Sequence, residues 1–168
     1  MMSLRNLMTI RLLITGGTID KQYNELDGEL IFTESGVEDM LAQGRAKLDI
    51  AYETVMLKDS LDMDDNDRQK ILSSCLACDE SQIVITHGTD TMVETSQVLA
   101  AEIKDKTIVL LGAMVPYQFE NSDALFNLGC AVAAVQTLGS GVYITMNGRV
   151  FNYDEVIKNK GLGEFQSK

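Results

Sequence analysis

Met8-Thr9-Ile10-Arg11-Leu12-Leu13-Ile14-Thr15-Gly16-Gly17-Thr18 decides the fold. Met8–Ile14 is an almost unbroken apolar run ending in a glycine pair, the pattern of a strand buried on both faces. Further strands are predicted at Ile50–Met56, Ile83–Thr86, Ile108–Leu111 and Val142–Met146, with a short one at Leu30–Thr33. Helical segments separate them. Ser35 and Glu38 predict a capping box opening one helix, and Thr91 with Glu94 predicts another running through Ile103. Asp64/Asp65 open a helix whose Ile71, Leu72, Cys75 and Leu76 share one face. Ala124–Leu138 predicts a helix rich in small residues and apolar on most sides. Asn147-Gly148 predicts a hairpin returning through Arg149-Val150-Phe151, and Asp27-Gly28 one within a polar flap over Asp20–Glu29. Strands alternating with helices predict an α/β domain, a mainly parallel sheet covered on both faces. Strand order is not readable from this pattern.

The 168 residues fit one domain at roughly 100–200 residues per domain, and 45% apolar content suffices for a core. A net charge of −11, from 25 acidic and 14 basic residues, argues against nucleic acid and anionic membrane as partners. The apolar run Leu7–Ile14 is broken by Arg11 and has no cleavage site after it. Cys75, Cys78 and Cys130 are an odd number; Cys75-x-x-Cys78 has no second CxxC and reads as two structural or free thiols. Together these readings predict a cytoplasmic protein.

Ligands of parallel sheets bind at the carboxyl ends of the strands, so the residues just past each strand are the place to look for chemistry. Thr15-Gly16-Gly17-Thr18 lets backbone approach a ligand beside a hydroxyl, and equally makes a plain tight turn; a dinucleotide loop is disfavoured because GxGxxG is absent. Asp59-Ser60-Leu61-Asp62 reads first as loop and cap residues. His87-Gly88-Thr89-Asp90-Thr91 places a hydroxyl and a carboxylate at a helix N-terminus, more polar groups than capping alone requires. His87 itself, at a buried strand end, reads as structural rather than as a base. Gly112-Ala113-Met114 is a weak signal of close passage to a pocket. Lys158 is one of three nearby lysines, with Lys160 and Lys168.

As a set, these residues resemble a known family. Ile14-Thr15-Gly16-Gly17-Thr18-Ile19 and Ile85-Thr86-His87-Gly88-Thr89-Asp90-Thr91-Met92 resemble the two signatures of the bacterial asparaginase/glutaminase family. Asp59-Ser60-Leu61-Asp62-Met63 resembles its substrate-carboxylate loop. Gly112-Ala113-Met114-Val115-Pro116, Phe126-Asn127-Leu128 and Val156-x-Lys158 match further segments in order, so the resemblance runs over about residues 8–165. It implies a flavodoxin-like three-layer sandwich, with residues 1–168 as one asparaginase-like N-terminal domain and without the family's smaller C-terminal domain.

The resemblance also implies hydrolysis of a small amino acid's side-chain amide, asparagine first among them, through an acyl-enzyme. Thr18 is the implied nucleophile, with Tyr23 of the flap close by. Thr89, Asp90 and Lys158 form the implied second catalytic cluster. Gly17, Ser60, Asp90 and Ala113 are the implied substrate contacts, Ser60 for the carboxylate and Asp90 for the ammonium. Amides near Gly17 and Thr89 would receive the oxyanion. Leu61 departs from the polar residue many relatives carry there. The chemistry calls for no metal or organic cofactor, and the family's shared sites imply a homodimer or higher homo-oligomer. Two other readings stay open: a non-catalytic amino-acid-binding module, and a subunit needing a separate partner chain to complete an amidase site.

Overall fold

The computed structural model describes residues 8–168; Leu7 of the first apolar run lies outside them. In chain order the elements are β1 (Ile10–Gly16), a 3-10 turn (Thr18–Asp20), β2 (Gln22–Tyr23), β3 (Leu30–Ile31), α1 (Val37–Gln43), β4 (Ile50–Lys58), a second 3-10 turn (Ser60–Asp62), α2 (Asp65–Ala77), β5 (Gln82–Thr86) and α3 (Met92–Glu102). There follow β6 (Thr107–Leu111), α4 (Ala124–Val135), β7 (Gly141–Met146), β8 (Arg149–Asn152), β9 (Val156–Asn159) and β10 (Glu164–Ser167).

Six strands form one sheet in the order β4-β1-β5-β6-β7-β8. All neighbours are parallel except β8, which runs back along β7. The reversal comes from Asn147-Gly148, whose φ values of 51° and 83° make the primed turn that suits a twisted hairpin. The chain leaves β1 toward β4 on one side and then crosses to β5 on the other. The carboxyl ends of β1 and β5 therefore flank the topological switch point, where such sheets bind ligands.

Two cores follow from the period-2 alternation of the strands. Leu13, Ile83, Ile85, Ile108, Leu110, Val142 and Ile144 face α2 and α3. Ile10, Leu12, Ile14, Val84, Val109 and Leu111 face α1 and α4. Helices on both faces make the expected three layers. Ile85 is fully buried, and its truncation to alanine costs about 2–5 kcal/mol. β4, at the sheet edge, has no fully buried residue.

Several local expectations need correction. Asp64 and Asp67 do form a reciprocal capping box at the start of α2. Neither of the two expected boxes forms, however: the residues that begin α1 and α3, Gly36 and Thr91, make no side-chain cap bond, and at α1 Ser35 Oγ only accepts from the Val37 amide at 3.3 Å. Ser35 hydrogen-bonds Asp20, 2.7 Å away, and Thr91 hydrogen-bonds the carbonyl of Ser60, at 2.8 Å, so both hydroxyls are spent on tertiary partners. Leu76 is exposed, while Ile71, Leu72 and Cys75 are buried. On α4 the outward positions are mostly small, with Phe126 the large exception. The β9–β10 hairpin has no counterpart among the sequence expectations.

All three cysteines are free thiols. Burial pushes Cys75 up to about 12, and the charge of Cys78 adds to it, so Cys75 stays protonated. Among the described residues no group of three or more His, Cys, Asp or Glu side chains is placed to hold a metal ion, and no helix is long and apolar enough to cross a membrane.

Candidate active site

Three loops from three strands meet at the switch point with almost no side chain between them. Gly17 has φ 83°, and a Cβ there would lie 2.4 Å from the amide nitrogen of Gly88. A Cβ on Gly88 would in turn lie 2.5 Å from Ser60 Oγ. Only glycine permits either approach. The contacts bring Thr18 after β1, Ser60 after β4 and Thr89-Asp90 after β5 into one region. A bond of 2.7 Å from Thr15 Oγ1 to the Thr86 carbonyl fixes β1 against β5 just below it.

The fourth component arrives from far along the chain. β9 packs against α3 and carries Lys158 over the α3 N-terminus. Lys158 Nζ donates to Thr89 Oγ1 and to Asp90 Oδ1, each at 2.8 Å. Its side chain is only 10% exposed, and Asp90 is 32% exposed. The lysine that residue pattern does not separate from Lys160 and Lys168, and that the family resemblance singles out, is thus the one held in the cluster. With its oxygen accepting from the lysine, Thr89 is left to direct its own proton elsewhere.

Ser60 is buried, and its loop is held from two sides. Its Oγ accepts from the Thr91 amide at 3.4 Å, and its carbonyl accepts from Thr91 Oγ1. Asp59 pairs with Lys21, 2.5 Å away, joining this loop to the start of the flap. Burial works against the charge of Asp59, but the bonds from Lys21 and the Leu61 amide and the charges of Lys21 and Lys158 outweigh it, so its pKa lies below the ordinary carboxylate value. Neither Lys21 nor the pairing of Asp59 is legible in the sequence, because both are ordinary loop residues.

The remaining candidates are less engaged. Tyr23 is 56% exposed on the flap, its hydroxyl 3.7 Å from where a Gly28 Cβ would stand, and among the described residues no hydrogen bond links it to Thr18. Ala113 is buried at the end of β6. The amide of Gly17 already donates to the Lys58 carbonyl at 2.9 Å, so of the amides near this turn it is not the one available to an oxyanion.

His87 is structural. Nδ1 lies 2.8 Å from the Gly88 carbonyl, which can only accept, so Nδ1 carries the proton. Nε2 then accepts from Thr95 Oγ1 at 2.8 Å. Burial lowers the ring pKa to about 4, despite the Gly88 bond. A neutral ring with both nitrogens occupied has no lone pair left for catalysis.

Beside the site, Asn127 ties two loops together. It donates to the Gly112 carbonyl at 2.9 Å and accepts from the Asn147 amide at 2.9 Å. Asp123 accepts from the amides of Met114 and Val115, both at 3.0 Å. Asn127 stands out in the sequence only within the Phe126-Asn127-Leu128 segment, and Asp123 not at all.

Fold and site together describe an α/β protein whose carboxyl-edge loops form one threonine-rich polar cluster clasped by a lysine. Within that class the chain belongs to the asparaginase family: residues 9–167 match the family model described as Asparaginase, N-terminal. It is 36% identical over 164 residues to L-asparaginase 2 of Escherichia coli, covering 90% of this chain and 47% of that protein. It is 32% identical over 165 residues to a glutamyl-tRNA(Gln) amidotransferase subunit of Methanococcus vannielii, covering 92% of this chain and 37% of that one. The thermostable L-asparaginase from Thermococcus kodakarensis superposes with a TM-score of 0.83 at 30% identity, covering 95% of this chain and 51% of that chain. The chain spans about half the length of the curated asparaginases it matches.

Proposed function

We propose that this protein is an amidohydrolase that converts the side-chain amide of a small amino acid, asparagine first, to the acid and ammonia. The observation that carries the reading is the Lys158–Thr89–Asp90 cluster, built by residues 68 and 69 positions apart and shielded from solvent at the lysine. A cluster of this kind is what an activated hydroxyl needs, because a threonine is a weak nucleophile until a base takes its proton.

In this reading Thr18 attacks the amide carbon and forms an ester with the acyl group. Thr89 relays protons between the cleft and Lys158, and Asp90 orients Lys158. The amine leaves as ammonia once protonated, and water hydrolyses the ester. Ser60 and Asp90 hold the substrate's carboxylate and ammonium. A backbone donor to the oxyanion contributes about 3–4 kcal/mol to such a step. The acidic surface fits a small zwitterionic substrate better than a polyanion.

A second reading has its own support in the likeness to an amidotransferase subunit: the chain works with a partner that completes the site. A coupled ammonia assay over asparagine, glutamine and a panel of simple amides tests the first reading. Ammonia release by the purified wild type that is lost in Thr18→Val supports it. No release from any amide sinks it and favours the partner reading.

A further inference from the structure

We propose that Asp20 is a positioning residue that locks the Thr18 turn to the far leg of the flap, its buried side chain gripping Ser35 and Gly36. The proposal rests on the reading of Thr18 as nucleophile.

Thr18, Ile19 and Asp20 form one closed turn. The Asp20 amide donates to the Gly17 carbonyl at 3.1 Å and the Lys21 amide to the Thr18 carbonyl at 3.2 Å. Whatever holds Asp20 therefore holds Thr18. The flap begins at once with β2 and returns through β3, and these strands pair over only two residues each. Such a short ladder cannot orient itself; its base must do so. Gln22 laces the base with exposed bonds to Thr33 and to the Glu34 carbonyl. Asp20 makes the buried clasp. It is 2% exposed, and its Oδ1 accepts from Ser35 Oγ at 2.7 Å and from the Gly36 amide at 3.2 Å.

The clasp is costly. Asp20 Oδ2 is buried with no hydrogen-bond partner among the described residues. Burial pushes the carboxyl up to about 6, against the lowering effect of Ser35 and Gly36. The titratable groups lining the same hollow are Lys21, Glu34, Asp39 and Tyr117, and Lys21 is turned to Asp59. An asparagine would offer the same acceptor to Ser35 and Gly36 without burying a charge, its amide group standing where Oδ2 has no partner, so accepting these two bonds does not by itself require a carboxylate. A charged acceptor, however, makes bonds about twice as strong as a neutral one. The charge thus trades global stability for a stiffer joint between nucleophile and flap, a trade seen at functional sites.

The test is Asp20→Asn, which keeps the acceptor and removes the charge. Three results are expected at pH 7.5: kcat for the amide the wild type hydrolyses best falls about tenfold or more with KM little changed, amide hydrogen exchange over residues 22–31 accelerates, and Tm rises. Ser35→Ala, which removes the main donor, lowers kcat to a similar level, and the double variant is no worse than either single one. A lower Tm with unchanged kcat and unchanged flap exchange marks a merely structural residue and overturns the proposal, as does an additive double variant. If Thr18→Val is inactive while Asp20→Asn is fully active, the positioning role falls and the hydrolase reading stands. If the wild type releases no ammonia from any amide, the hydrolase reading falls. The exchange measurement then decides alone, and unaltered flap exchange in both variants overturns the clasp.

Discussion

Thr91 opens α3 yet gives its hydroxyl to the carbonyl of Ser60, 2.8 Å away, not to the helix it begins. A capping position has thereby become a brace between the loop after β4 and the loop after β5. Thr91→Val keeps the shape and removes the brace. It should cost about 1 kcal/mol in stability, the usual net worth of such a bond, and raise KM more than it lowers kcat, because Ser60 is the proposed carboxylate contact. Steady-state kinetics and urea unfolding check this; a variant with unchanged KM refutes the brace.

Thr18→Val and Lys158→Met should each reduce ammonia release by roughly a thousandfold or more, the scale expected when a nucleophile or its proton-transfer partner is lost. Near- and far-ultraviolet circular dichroism should match the wild type for Thr18→Val, whose side chain has no hydrogen-bond partner to lose among the described residues. Undiminished turnover by either variant contradicts its role.

Asp20 and His87 pull stability in opposite directions over nearly one pH window. Burial raises Asp20 from 3.8 to about 6, so its contribution is full below about pH 4 and is lost as pH rises through 6. Burial lowers His87 from 6.5 to about 4, so its contribution is full above pH 6.5 and is lost as pH falls through 4. Each is worth about 3 kcal/mol, and they offset. The urea midpoint of the wild type should change little from about pH 5 to 6.5, above the range where Asp59, Asp67 and Glu80, all held below their ordinary values, begin to take up protons in the unfolded chain. In Asp20→Asn the histidine is no longer opposed, and the midpoint should fall more steeply than the wild type's as pH is lowered across that range. A variant profile as level as the wild type's would show that the two groups are not opposed.

Self-association is the fourth expectation. Leu61, Ile157 and Leu162 are exposed apolar side chains on the loop and hairpin that carry Ser60 and Lys158, and Phe126 stands out from α4. We expect a dimer that covers part of this surface, since two-fold pairs are the commonest oligomers. Light scattering at micromolar concentration should give about twice 18.5 kDa. A clean monomer mass at every concentration tested excludes it.

Much of this fold can be read from residue patterns. The apolar runs through Leu12-Leu13-Ile14 and Ile83-Val84-Ile85 announce strands buried on both faces, and each is packed that way. Asn147-Gly148 announces its hairpin because the turn itself demands those residues. Asp64/Asp65 announce the start of α2 for a like local reason, and the structure adds that Asp64 caps it with Asp67. Hydroxyls with distant partners mislead. Ser35 and Thr91 have the right neighbours for capping boxes, but Asp20 and Ser60, brought near by the fold, take their hydroxyls. Strand order is hidden because parallel neighbours share no turn. The β9–β10 hairpin is hidden because its strands are four residues each and only partly apolar.

The same division runs through the site. Thr18, Ser60, Thr89 and Asp90 can be found by looking just past the end of each strand. Lys158 cannot, since its meaning comes from an element packed against α3 from 68 residues away. Lys21 and Asp59 are invisible for a like reason: each is a plain surface residue until the flap and the loop after β4 are set side by side.

The stacking of Gly17 on Gly88, and of Gly88 on Ser60, gives this site an unusual mutational profile. Where Gly17 meets Gly88 the spacing is set by main chain touching main chain, and where Gly88 meets Ser60 by main chain against a small side chain, so the site inherits the pitch of the sheet beneath. Saturation mutagenesis should therefore find Gly17 and Gly88 as hard to replace as the nucleophile and the lysine, although neither offers a side chain. There the smallest possible change, one added methyl group, is already too large. Drift in this lineage is free to retune what the cleft accepts long before it can move the cleft.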